Sequence, residues 1–115
     1  GPTLYGPADA EVTLMGWGSS KGALFEAVDE LARRGVTANA LHFTDIWPFP
    51  EEGVQAVLAA RYLVAVEGNL TGQFARLVRA QTGRKADELI GRDDGRPLTP
   101  GYILSRLERV AEQVA

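Results

Sequence analysis

The residues best spaced for chemistry lie in Gly16-Trp17-Gly18-Ser19-Ser20-Lys21-Gly22. Within that stretch, Gly18 to Gly22 matches G-x-S-x-G, the strand–turn–helix elbow that exposes a serine nucleophile. Acyl transfer also needs a base within reach of the serine and a third group to orient that base. The only histidine is His42, which falls inside the second expected strand and not on a loop beyond the last one. His42 is therefore expected to be a satisfied sheet residue, and the elbow only a turn. The same glycines suggest a dinucleotide loop, but their spacing is G-x-G-x-x-x-G, one residue longer than the Rossmann fingerprint. Asp45 also comes too late to serve as the acidic ribose contact, lying past the strand end. A P-loop is excluded because Lys21 precedes its glycine and no Ser or Thr follows it. What remains is a tight turn whose glycines permit close packing and whose Ser19 or Ser20 caps a helix.

A second candidate is Glu67-Gly68-Asn69-Leu70-Thr71-Gly72-Gln73. Glu67 is expected at the carboxyl end of a buried strand, aimed at the amino end of the next helix, where free N–H groups and the dipole favour an anion. Ligands of open α/β folds bind at that edge. Glu67, Asn69 and Gln73 are thus candidates to contact a ligand or partner chain. The competing reading is that Glu67 and Asn69 merely tie the loop to the helix start.

Trp47 and Phe49 are large apolar groups on the Pro-rich loop Trp47-Pro48-Phe49-Pro50. Exposed, they suit an interface; buried, they only cover the end of the sheet. Arg76, Arg79, Arg84 and Lys85 cluster near a helix end, where cations favour the dipole, and an acidic protein partner is the alternative. Asp93 and Asp94 open a turn, and two adjacent aspartates are too few for a metal site. No paired carboxylates, metal cluster or nucleophile–base pair emerges.

The elements that must position these residues alternate between strand and helix. Glu11 to Trp17, Val36 to Phe43 and Tyr62 to Val66 read as buried strands, with a doubtful fourth at Ala86 to Ile90. Helices are expected from Ser19 or Ser20 to about Arg34, from Pro50, from Thr71 and from Thr99-Pro100. The first carries the apolar stripe Leu24, Val28, Leu31 and Ala32 and is ended by Gly35; the third is closed by Gly83. The last continues through Ile103, Leu107, Val110 and Val114. Such alternation implies a parallel core sheet covered on both faces, a three-layer α/β domain.

Composition narrows the class further. The chain has 115 residues, which suits one domain over 1–115. With 45% hydrophobic and 23% charged residues it has the make-up of a globular protein. There is no cysteine, so thiolate nucleophiles, disulfides and thiolate-held iron–sulfur clusters are excluded, and a cytoplasmic location is expected. Twelve basic against fifteen acidic residues give a net charge of −3, which argues against nucleic acid as a partner. No apolar run has the roughly 20 residues a membrane span needs. Gly1-Pro2 has the look of a scar left by tag removal, and the domain is expected to be a fragment of a larger subunit.

Four motifs in order carry a resemblance over nearly the whole chain. They are Gly16 to Gly22, Leu41-His42-Phe43-Thr44-Asp45-Ile46-Trp47-Pro48-Phe49-Pro50, Glu67 to Gln73, and Asp94-Gly95-Arg96-Pro97-Leu98-Thr99-Pro100. Together they resemble the carboxy-terminal domain of the alpha subunit of 2-oxoacid:ferredoxin oxidoreductases, particularly the 2-oxoglutarate type. The resemblance implies the fold of the transketolase carboxy-terminal domain. That fold is a mixed, mostly parallel five-stranded sheet whose short first strand, here about Thr3 to Tyr5, runs antiparallel. It also implies a parent enzyme that decarboxylates a 2-oxoacid on thiamine diphosphate, reduces ferredoxin through iron–sulfur clusters and forms an acyl-coenzyme A. The residues holding those groups belong to other domains of such enzymes, so no catalytic, cofactor-binding or metal residue is expected here, Glu67 included. This domain is left a docking role against its own subunit and partner subunits, with the Trp47 and Glu67 loops as contacts. The alternative is a free-standing small-ligand or nucleotide-binding module using the Gly16–Gly22 turn. The equivalent domain of a pyruvate:ferredoxin oxidoreductase is a closer rival that composition does not separate.

Overall fold

The computed structural model describes residues 1–44, 47–68, 72–92 and 94–107. Five strands form one sheet: β1 (Thr3–Tyr5), β2 (Val12–Trp17), β3 (Ala38–Phe43), β4 (Leu63–Glu67) and β5 (Glu88–Gly91). Their order is β1-β3-β2-β4-β5, with β1 antiparallel to β3 and every other pairing parallel. The three apolar runs read as strands are β2, β3 and β4, and every residue of β3 and β4 is buried. That is the mark of parallel strands covered on both faces. The doubtful fourth strand is real but starts two residues later, at Glu88. The short first strand stands where the family resemblance put it.

Among the described residues four helices cover the faces: α1 (Lys21–Arg33), α2 (Glu51–Ala59), α3 (Gln73–Thr82) and α4 (Pro100–Arg106). One buried cluster joins α1 and α4 to the sheet through Leu24, Leu31, Ile103 and Leu107. The other lies beneath α2 and α3, around Met15, Phe43, Val57 and Phe74. Gly35 and Gly83 take the left-handed conformation expected of them at the ends of α1 and α3.

Several expectations need correction. Ala27, not Ala32, completes the buried stripe of α1. Ser20 does not cap α1: a short 3-10 turn over Gly18–Ser20 intervenes, and its hydroxyl donates to Trp17 O at 3.2 Å. Thr99 does cap α4, its Oγ1 accepting from Tyr102 N at 3.1 Å. Thr71, Asp45, Asp93, Val110 and Val114 lie outside the described residues.

Candidate functional site

The chain leaves β2 through α1 to reach β3 on one side, then crosses through α2 to β4 on the other side of β2. The carboxyl ends of β2 and β4 therefore flank the point where strand order reverses, the usual ligand crevice of an open α/β sheet. Trp17, the Gly18–Ser20 turn and Glu67 all sit there.

Local packing dictates the turn. A Cβ on Gly16 would lie 2.6 Å from Ser20 Oγ, 3.0 Å from Leu24 Cδ1 and 3.2 Å from Val66 O. Only glycine lets α1 approach the sheet so closely. His42, 3% exposed on the adjacent strand, places Nε2 2.7 Å from Gly18 O. A carbonyl only accepts, so Nε2 carries a proton, and Nδ1 has no partner among the described residues. His42 thus ties the turn to the sheet, and Ser20 is buried with its proton given to the backbone. Serine and histidine each bond to a different carbonyl, which is not a nucleophile–base pair.

Glu67, also 3% exposed, closes the other side. Its Oε1 accepts from Phe74 N at 2.8 Å and its Oε2 from Ala75 N at 3.2 Å. The carboxylate therefore occupies the place an anionic ligand would take at the start of α3, while Gly72 supplies no side-chain cap. Gln73 opens α3 and is exposed, and Asn69 lies outside the described residues.

Aromatic residues divide between core and surface. Phe49 is half-buried, with its ring 5.2 Å from that of Phe43, which in turn meets Phe74 edge-on at 5.5 Å. Phe49 thus covers the end of the sheet. Trp47 stands 76% exposed, and Trp17, not singled out from the sequence, is 45% exposed at the end of β2. Its signal was only that it closes a strand just before a glycine turn. The basic cluster also separates. Arg84 turns away, donating to Val57 O at 3.3 Å and Ala60 O at 2.8 Å, the last carbonyls of α2, and pairing with Asp87.

Iron–sulfur ligation and activation of thiamine by Glu67 do not fit these side chains. The chain has no thiolate for an iron–sulfur cluster, and both Glu67 oxygens are taken by backbone amides. Among the described residues no three of His, Cys, Asp and Glu gather as a metal site. Nor is any described helix long and apolar enough to cross a membrane.

Sheet order and layering are those of the carboxy-terminal part of transketolase. A split-gene transketolase chain superposes with a TM-score of 0.70 at 16% identity, over 98% of this chain and 42% of that one. The chain belongs to the pyruvate:ferredoxin oxidoreductase core domain II family, which matches residues 10–103. It is 40% identical to subunit alpha of 2-oxoacid:ferredoxin oxidoreductase 1 of Aeropyrum pernix, over 96% of this chain and 17% of that one. It spans only that small part of the curated relative. Among solved structures, 2-oxoglutarate:ferredoxin oxidoreductase from Magnetococcus marinus matches all of the chain at TM-score 0.84 and 26% identity, over 20% of its own length. The alpha chain of a probable 2-oxoacid ferredoxin oxidoreductase from Thermoplasma acidophilum matches 98% of it at TM-score 0.64 and 32% identity, over 96% of that chain. The family resemblance read from the four motifs therefore holds.

Proposed function

We propose that this chain is a non-catalytic docking domain of the alpha subunit of a thiamine-diphosphate-dependent 2-oxoacid:ferredoxin oxidoreductase working in the cytoplasm. The parent enzyme converts a 2-oxoacid to an acyl-coenzyme A and passes electrons through iron–sulfur clusters to ferredoxin, with all three groups held by other domains. One observation carries this reading. At the carboxyl edge the Ser20 hydroxyl, His42 Nε2 and both Glu67 oxygens are bonded internally, whereas Trp47 and Trp17 face outward. Aromatic anchors around a satisfied polar scaffold suit protein contact better than small-molecule capture. Trp47 and the exposed Gln73 contribute to the contact surface; Glu67 and Phe49 hold its supporting backbone in shape.

Thermal unfolding with thiamine diphosphate, coenzyme A, NAD and ATP in turn tests this. A ligand that binds only the folded state raises the melting temperature by mass action. A flat response across the panel is expected. A saturable rise with any one of them would instead make the chain a ligand-binding module built on the Gly16–Gly22 turn.

A further inference from the structure

α3 and β5 border a groove of about 190 Å³ lined by Gly72, Arg76, Arg79, Lys85, Ala86 and Leu89. Its floor is apolar, since Leu89 is 45% exposed and Gly72 adds no side chain above it. Its walls bear three cations, and among the described residues no carboxylate lines it. Neighbouring acids are committed elsewhere: Glu67 to the start of α3, Asp87 to Arg84 and Leu63 N, Glu88 to the Tyr62 hydroxyl. Among the described residues no ion pair engages Arg79 or Lys85. Arg76 and Arg79, three apart, lie on one face of α3. In a chain of net charge −3 such a face is local, not a general basic character.

Two features decide what fits. The groove is below the roughly 300 Å³ at which cofactor-sized pockets begin, so it suits side chains more than a whole ligand. The amides that would otherwise hold a phosphate at the start of α3 are filled by Glu67. Among the described residues β5, meanwhile, pairs only with β4 and ends the sheet, with Tyr102 donating to its Gly91 carbonyl. Ile90 is buried under α1 and α4, so Leu89 faces the groove. A strand laid along β5 would present every second side chain to the groove.

We propose that β5 and this groove receive an extended, acidic segment of a partner subunit, which adds as a sixth strand and sets carboxylates at alternate positions against Arg79 and Lys85. Backbone pairing gives the affinity and the alternating carboxylates the selectivity. The proposal rests on the docking reading but uses a different surface from Trp47, so either can fail alone.

The test is titration of the full chain with a synthetic ten-residue peptide alternating Glu and Val, followed by amide NMR, with the Lys–Val counterpart and inorganic phosphate as comparisons. Saturable shifts at the Glu88–Gly91 amides are expected for the acidic peptide only. Arg79→Glu combined with Lys85→Glu should weaken binding at least tenfold, with an unchanged melting temperature as the folding control. Equal binding of the lysine peptide, no shifts in β5, or phosphate displacing the acidic peptide would each overturn it; the last would mean a simple anion site.

Discussion

The Glu67 carboxylate reaches across the β4–α3 connection to accept the backbone N–H of Phe74 at 2.8 Å, and through its second oxygen that of Ala75. One side chain at the end of a strand thereby does for α3 what a local cap does elsewhere. Buried charge-assisted hydrogen bonds of this kind contribute about 1.5–3 kcal/mol each. Glu67→Ala strands two N–H donors and should cost about 3–6 kcal/mol in urea unfolding. Glu67→Gln keeps one acceptor and should cost about half as much. Equal stability of both variants with the parent would show the bonds to be incidental.

Gly16→Ala forces a methyl against Ser20 Oγ, where only 2.6 Å is free. Overpacking of this sort costs about 1–3 kcal/mol. Adding Ser20→Ala removes the nearest atom but not Leu24 or the Val66 carbonyl, so partial rescue is expected. A double-mutant cycle measures it, and strict additivity would contradict the contact.

For His42 the structure fixes the protonation of one ring nitrogen. Because Gly18 O accepts from Nε2, that nitrogen should carry a proton, giving an Nε2–H signature in ¹⁵N chemical shifts. An unprotonated Nε2 would mean that the turn is not held to β3 in this way.

Acid should loosen the surface before the core. Arg96, through its side chain and its backbone N–H, and then Arg92 hold Asp94 well below the usual carboxylate range; Arg61 lowers Asp9, and Arg33 with Arg34 lowers Glu30. A carboxylate lowered on folding stabilises fully above its unfolded pKa of about 4, and that stability is lost as pH falls toward the lower folded value. These pairs are exposed, so added salt should shrink the effect. Asp94→Asn should be less stable than the parent at pH 7 and lose less stability on acidification. An identical pH profile would rule out Asp94 as a contributor.

Much of this was legible in the chain. β2, β3 and β4 announce themselves as apolar runs because strands buried on both faces lose alternation, and α1 follows from helical spacing. β1 was not readable from its residues, since Thr3–Tyr5 is too short to show any period; the family resemblance supplied it. Glu67 stood out as an acid at a strand end, but whether it met a ligand or its own helix depended on the path of the loop. The role of Arg84 was hidden for a different reason: it closes α2 from 24 to 27 residues away in sequence, and long-range capping leaves no local pattern. Trp17 and Phe49 show the same limit, because an apolar residue at an element's end does not declare which way it faces.

The docking claim is met most directly by measuring how tightly this domain associates with the remainder of an alpha subunit and its partner subunit, for the parent and for Trp47→Ala. At 76% exposure Trp47 supports little of the fold, so its loss should leave the melting temperature nearly unchanged. An interface anchor of this type is worth about 2 kcal/mol or more, so association should weaken roughly thirtyfold. An unchanged association constant would contradict the account.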